Sequence, residues 1–141
     1  IVMHPGDPDD LNGAGGDILE RVRAFFEKKT TEAEQRGVNK NRLCFDPGIG
    51  FGKTNEENFA LIANPEKIRV PGTALLMAAS RKRAIGAVCG NPPFEDRMAG
   101  TVAAHTASVL FGADMVRVHD TFEAVQAARV ADAIKQFRKG V

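Results

Sequence analysis

The sequence has no excess of either charge. Its 141 residues contain 19 Lys and Arg against 18 Asp and Glu. This balance gives no bulk attraction for nucleic acid or for an acidic membrane surface, so neither is expected as a partner. Any site for an anion must therefore be built locally from a few side chains.

Long apolar runs and closely spaced cysteines are also missing. No stretch approaches the roughly 20 apolar residues of a membrane span, and no basic region followed by an apolar segment opens the chain, so we expect a cytoplasmic protein. Cys44 and Cys89 lack the short spacing of a zinc or redox site and are predicted to be buried free thiols. With 43% hydrophobic residues, the chain can form the core of one domain.

Residues 46 to 55 read DPGIGFGKTN, which at first resembles a phosphate-binding loop. A Walker-type loop needs a glycine five positions before the Gly-Lys-Thr triplet, and that position is Pro47. Proline has no N–H to donate to a phosphate, and Lys53 stands where a dinucleotide-binding motif would place its third glycine. A nucleotide site is therefore disfavoured.

Apolar segments of strand length alternate with helical patterns along the chain. Strands are predicted at residues 1–4, 42–46, 73–80 and 115–119. A first helix starts at a capping box of Asp17 and Glu20 and ends at Gly37, and a second covers 56–68 with a break near Pro65. The third covers 95–113. This alternation predicts an α/β domain with a parallel sheet.

The last helix is predicted to follow Asp120 and Glu123 and to end at Gly140. Its apolar residues recur at helical spacing, which predicts a buried face formed by Val130, Ile134 and Phe137.

Polar side chains stand where each predicted strand ends. They are His4, Asp46, Ser80 with Arg81 and Lys82, and Arg117 with His119. Because ligands of parallel α/β folds bind at the carboxyl edge of the sheet, we expect these groups to share a site.

Each of these side chains has a functional interpretation and a structural one. Asp46 either binds a planar pair of N–H groups in a ligand or caps the next turn. Arg117 and His119, as alternate residues of one strand, either bind a phosphate or pyrophosphate or form ordinary structural contacts. Phe51 either belongs to the core or covers a flat ring. His105 is expected to be a packed or surface helix histidine.

Four motifs carry a resemblance to the dihydropteroate synthase family of pterin-binding enzymes. They are Met3-His4 before a Gly- and Pro-containing loop, DPGIGFGKT followed by NEEN, SRK at 80–82, and RVHD at 117–120. The order and spacing hold from residue 1 to about residue 137. The family fold is an eight-stranded (β/α) TIM-type barrel. The resemblance covers its C-terminal half, about four βα units, so residues 1–141 are expected to be a partial pterin-binding domain.

The resemblance implies the condensation of a dihydropterin pyrophosphate with p-aminobenzoate in folate biosynthesis, with pyrophosphate leaving. It implies catalytic roles for Lys82, Arg117 and His119. Substrate-binding roles are implied for those three and for Asp46, Phe51, Arg83 and Met3. A Mg²⁺ cofactor is implied too, although the asparagine that serves it lies in the half of the barrel that this chain does not match.

Two departures and two alternatives accompany this interpretation. Ala78 stands where the family usually has glycine, and the loop after Met3-His4 is one residue shorter than usual. The alternatives are a methyltetrahydrofolate-dependent methyltransferase-like pterin barrel and a half-barrel without catalysis. As a half-barrel, the chain is expected to form a homo-oligomer or to pair with the missing half.

The half-barrel interpretation also predicts which side chains lose cover. The inward faces of the strands, with Leu43, Phe45, Leu75 and Val116, are expected to lack the opposite barrel wall. The first and fourth strands are expected to be the outer strands, with unpaired edges.

Overall fold

A computed structural model describes residues 1–6 and 16–137. Within these residues, four short strands form one parallel sheet in the order β1-β2-β3-β4, so β1 and β4 are the outer strands, as predicted. The strands are β1 (Val2–Met3), β2 (Cys44–Asp46), β3 (Ala74–Met77) and β4 (Met115–Val116). They are shorter than predicted; β3, for example, ends at Met77 although the apolar residues Ala78 and Ala79 follow it. The parallel α/β prediction is confirmed.

In the described part of the chain, six α-helices accompany the sheet: α1 (Ile18–Gln35), α2 (Asn55–Ala63), α3 (Pro65–Ile68), α4 (Arg83–Val88), α5 (Met98–Leu110) and α6 (Thr121–Phe137). Asp17 caps α1 by accepting a hydrogen bond from the Leu19 N–H, and Gly37 follows the helix at φ +78°. Pro65 opens α3, which confirms the predicted break. Two short 3₁₀ turns cover Lys40–Arg42 and Phe94–Arg97. The predicted helix at 95–113 is thus a 3₁₀ turn followed by α5.

The main core lies between the helices and one face of the sheet. Phe45 and Leu75 are each 1% exposed, and the Phe45 ring stacks on Phe26 of α1 at a centroid distance of 4.5 Å. Half-buried Leu43 and Val116 pack against the same cluster. The prediction that these four side chains face a barrel interior is therefore wrong, because the helices already cover them.

The opposite face of the sheet carries a second, smaller cluster. Cys44, Leu76 and Ala78 are its buried members. Because strand side chains alternate between faces, Asp46 belongs to the same face as Cys44, two residues before it. This is the side on which the polar strand ends meet.

Two burial predictions are wrong. Val130, Ile134 and Phe137 are 58%, 49% and 84% exposed, since α6 buries Ala131 instead and its alanines face α5. Cys89 is exposed because it follows the six-residue helix α4 at the surface, whereas Cys44 is buried as predicted. Burial raises the pKa of the Cys44 thiol.

Two sequence predictions fall outside the described residues: most of the loop after Met3-His4, at 7–15, and the end of the last helix at Gly140. Among the helices of the described part, none is long and apolar enough to cross a membrane.

Candidate functional site

The glycine-rich loop after β2 is folded around Asp46. Asp46 is buried, with 4% of the residue exposed, and its carboxylate accepts a hydrogen bond of 2.7 Å from the Gly48 N–H. Lys53 donates to the carbonyls of Gly48 and Phe51 at 3.1 and 2.9 Å. The lysine of the GKT triplet therefore ties the loop to itself.

The far end of that loop is fastened to α2. Thr54 and Glu57 form a two-way capping box at the start of the helix. The Asn58 side chain accepts from the Gly50 N–H at 2.7 Å and donates to the Thr54 carbonyl at 2.8 Å. These bonds hold the loop in the shape that places Phe51 beside the sheet edge.

Lys82, at the N-terminal end of α4, lies across this loop. Its ammonium is 4.2 Å from the centroid of the Phe51 ring, close enough for a cation–π contact. Its aliphatic chain passes Gly50, which has a φ of +81°. A Cβ at Gly50 would lie only 3.2 Å from Lys82 Cδ, so the glycine allows the lysine to pass close to the loop backbone. Burial, and less strongly Arg117, lower the pKa of Lys82, while Asp46 opposes the shift.

Arg117 and His119 follow β4 rather than lying within it. The Arg117 N–H donates to the Met77 carbonyl at 3.0 Å, so the chain still runs beside β3. The Arg117 guanidinium reaches to 4.0 Å from the Asp46 carboxylate. The backbone N–H of His119 donates to Ser80 Oγ at 3.2 Å, and Nδ1 of the His119 ring is 2.8 Å from the same oxygen.

The segment SRK after β3 and the segment RVHD after β4 continue the register of the sheet. Leu76 pairs with Met115 across the strands, a separation of 39 residues (115 − 76). Ser80 with His119 and Arg81 with Asp120 have the same separation of 39 residues. Side chains therefore replace the backbone ladder where the strands end. Sequence reasoning missed this link, although the shared spacing of the two motifs could have indicated it.

Arg81 has strained backbone geometry and many contacts. Its φ is +54°, in the left-handed region that non-glycine residues rarely adopt. Its guanidinium forms a bidentate ion pair with Asp120, with one bond of 3.0 Å, and lies 5.1 Å from the Phe94 ring centroid. The backbone N–H of Arg81 donates to Thr101 Oγ at 2.8 Å. The ion pair holds the pKa of Asp120 below its usual value.

A cavity of about 340 Å³ lies where these segments meet. It is lined by Ala78, Ser80, Lys82, Arg117, Val118 and His119. A larger groove of about 520 Å³ between α5 and α6 is mostly apolar, so it offers little to bind an anion. The smaller cavity is the candidate site because cationic and hydrogen-bonding groups converge there.

The structure brings together most of the predicted site residues. Asp46 faces Arg117 beside the cavity, Phe51 covers Lys82, and half-buried Met3 is the register partner of Asp46 on β1. Arg83 is exposed at the first position of α4 and is not among the residues that line the cavity. The methyl group of Ala78 lies in the cavity wall.

The residues described do not fit a magnesium ion by themselves. In residues 1–6 and 16–137, no group of three His, Cys, Asp or Glu side chains could hold a metal. The carboxylate at the site, Asp46, faces Arg117 and is near Lys82, so its charge is already balanced by cations.

Residues 1–119 match the sequence profile of the pterin binding enzyme family. The chain belongs to this family. It is similar to the dihydropteroate synthase of Synechocystis sp., with 36% identity over 137 residues, 95% of this chain and 47% of that protein. The Escherichia coli dihydropteroate synthase is 35% identical over 135 residues, 94% of this chain and 48% of that protein. The chain spans about half the length of these relatives.

A solved structure agrees with the fold. The Xanthomonas albilineans dihydropteroate synthase in complex with 7,8-dihydropteroate superposes with a TM-score of 0.85 and 36% identity. The match covers 95% of this chain and 50% of that one. The four βα units therefore correspond to part of a dihydropteroate synthase barrel.

Proposed function

We propose that this chain forms the pterin- and pyrophosphate-binding part of a dihydropteroate synthase active site. One observation carries the proposal: Asp46, Lys82, Arg117 and His119 lie at or just after the carboxyl ends of three different strands and meet at one edge of the sheet. A buried carboxylate beside a cationic cavity suits a ligand with a planar donor edge at one end and a polyanionic group at the other.

Asp46 would bind the amino-pyrimidine edge of the pterin. Its carboxylate already accepts the Gly48 N–H through Oδ1, which fixes its orientation. Two parallel N–H groups of the ring suit a carboxylate held in this way. Lys82 would donate to the carbonyl and N5 side of the ring, and Phe51 would line the ring pocket and the aminobenzoate channel. Met3, beside Asp46, would contact the ring.

Arg117 and His119 would bind the leaving group. The reaction breaks the bond between the exocyclic methylene carbon and the pyrophosphate oxygen, and the electron pair leaves with pyrophosphate. The amine nitrogen of p-aminobenzoate then bonds to the methylene carbon and loses a proton. Charge-assisted bonds from Arg117 and His119 strengthen as negative charge develops on the departing oxygen, which lowers the barrier. Arg83 would approach the aminobenzoate carboxylate.

The comparisons support this activity over that of a methyltetrahydrofolate-dependent methyltransferase. The relatives reported above are named dihydropteroate synthases, and the methyltransferase reaction has no pyrophosphate to occupy the Arg117 and His119 end of the site. A half-barrel without catalysis remains an outcome of the experiments, because the chain spans about half of those relatives.

Competition between ligands tests the proposal. In calorimetric titrations, dihydropterin pyrophosphate should bind, and pyrophosphate and a pterin without phosphate should each displace it. Both fragments should also bind together, because the pterin would occupy the Asp46 side of the site and pyrophosphate the side of Arg117 and His119. If neither fragment competes, or if the pterin pyrophosphate does not bind, the proposed site is wrong.

A further inference from the structure

Ser80 forms two hydrogen bonds with one residue, His119. Its Oγ accepts the backbone N–H of His119 at 3.2 Å and lies 2.8 Å from Nδ1 of the imidazole ring. Ser80 is 4% exposed, so a hydroxyl without a partner would lose its bond to water and gain nothing in return. These contacts bear on which ring nitrogen of His119 carries the proton.

The two possible arrangements use the Ser80 hydroxyl differently. If Nδ1 carried the proton, two N–H groups of His119 would point at one oxygen, and the hydroxyl proton would need a third partner. Within residues 1–6 and 16–137, the hydrogen bonds of this hydroxyl go to His119. If Nδ1 is the acceptor, the oxygen accepts the backbone N–H and its proton goes to the ring, so every group is paired.

We propose that Ser80 is a positioning residue that sets the tautomer of His119. Its hydroxyl donates to Nδ1 and so keeps the ring proton on Nε2, at the other side of the imidazole. A neutral His119 then presents an N–H donor to the cavity that both residues line. Pyrophosphate oxygens accept hydrogen bonds, so this tautomer is the one that binds them. The link between the tautomer and pyrophosphate binding rests on the proposed function, whereas the assignment of the tautomer does not.

Two neighbouring contacts keep the ring in place. Phe94 meets the imidazole edge to face at a centroid distance of 5.3 Å. The Arg81–Asp120 ion pair joins the same two segments one residue further on. Ser80 and His119 are therefore held at a fixed separation, which a hydroxyl-to-nitrogen bond requires.

Nuclear magnetic resonance of ¹⁵N-labelled histidine tests the proposal directly. The chain has three histidines. His105 Nε2 accepts from the Ala79 N–H at 3.1 Å, so its proton belongs on Nδ1, whereas His4 Nδ1 accepts from the Gly6 N–H at 3.3 Å. At about pH 8.5, where an ordinary imidazole is neutral, His119 should show the Nε2–H pattern and His105 the Nδ1–H pattern. The His105 signal also reports that a variant is folded.

Three substitutions separate the positioning role from general packing. Ser80→Ala should give His119 a mixture of tautomers and weaken pyrophosphate binding roughly two- to ten-fold, as expected for one lost hydrogen bond. Ser80→Thr keeps the hydroxyl and should restore the Nε2–H pattern. Ser108→Ala, which removes another buried hydroxyl that donates to the Ala104 carbonyl, should leave His119 and pyrophosphate binding unchanged.

An Nδ1–H pattern for His119 in the parent chain would overturn the proposal, and so would an unchanged pattern in Ser80→Ala with the His105 signal intact. A changed tautomer with unchanged pyrophosphate affinity would contradict the link to the ligand. A parent chain with the Nε2–H pattern that fails to bind pyrophosphate would support the tautomer and contradict the proposed function.

Discussion

Acid should destabilise this protein through His105. The imidazole is 4% exposed among apolar side chains, and its Nε2 accepts the Ala79 N–H at 3.1 Å. Burial lowers the pKa of His105 to about 4 from an ordinary value of 6.5. Because the folded state resists protonation, the neutral ring contributes stability above pH 6.5, and this contribution is lost as the pH falls toward 4.

The size of the effect follows from the two pKa values. At 1.36 kcal/mol per pKa unit, the full shift corresponds to roughly 3 kcal/mol, of which about 2.5 kcal/mol is lost on going from pH 7.5 to 4.5. Urea unfolding of the chain at these two pH values measures it. Carboxylates that titrate between pH 7.5 and 4.5 also change the free energy of unfolding, so the contribution of His105 must be separated from theirs with a variant that lacks the imidazole.

His105→Gln supplies that comparison. Glutamine offers an acceptor for the Ala79 N–H but does not titrate, so the variant should lose about 2.5 kcal/mol less than the parent chain between the two pH values. The carboxylate contributions are common to both proteins and cancel. An identical pH dependence in both would refute the account of His105 as a buried neutral acceptor.

Three further predictions concern the loops and the sheet edges. The Tm should fall in Arg81→Ala and in Asp120→Asn. The double variant should have a Tm no lower than that of the less stable single variant, because each substitution removes the same ion pair. Additive decreases in Tm would contradict the link between the two segments. Gly37→Ala should lower the free energy of unfolding by about 1 to 2 kcal/mol in chemical unfolding, and Gly48→Ala should lower it by clearly more. Both glycines have positive φ, but a Cβ at Gly48 would overlap the His4 carbonyl, whereas a Cβ at Gly37 would meet nothing within 4 Å. The isolated chain should either self-associate through the outer strands β1 and β4 or be marginally stable and prone to aggregate, and it should show little pyrophosphate release with both substrates; light scattering and an enzymatic assay measure these properties, and a stable, soluble monomer with full turnover would contradict this.

The sequence predicted the parallel sheet and the convergence at its edge because the signals are local. Asp46 and Lys82 each come shortly after an apolar segment, and strands of this kind bring their carboxyl ends together. The sequence could not show which face of a strand meets the helices. Strands of parallel sheets are apolar on both faces, so the orientation of Phe45 and Leu75 was predicted wrongly.

The remaining errors have a similar cause. Helix α6 lies so close to α5 that its alanines, rather than its large apolar side chains, contact that helix. The large apolar side chains of α6 are therefore left exposed. The bonds from Ser80 to His119 depend on the register of β3 and β4, which requires knowledge of both strands together. Tertiary contacts of this kind leave no signal in a single stretch of sequence.

The most direct test of the bipartite site measures two variants against two ligands. Asp46→Asn should weaken binding of a pterin without phosphate about ten- to a hundred-fold and leave pyrophosphate nearly unchanged, and Arg117→Ala should do the reverse. Arg69→Ala is the matched control, because Arg69 binds Asp114 at the amino ends of the strands; it should affect neither ligand. Isothermal titration calorimetry gives all the affinities. Equal weakening of both ligands by both variants would contradict the division of the site between Asp46 and Arg117.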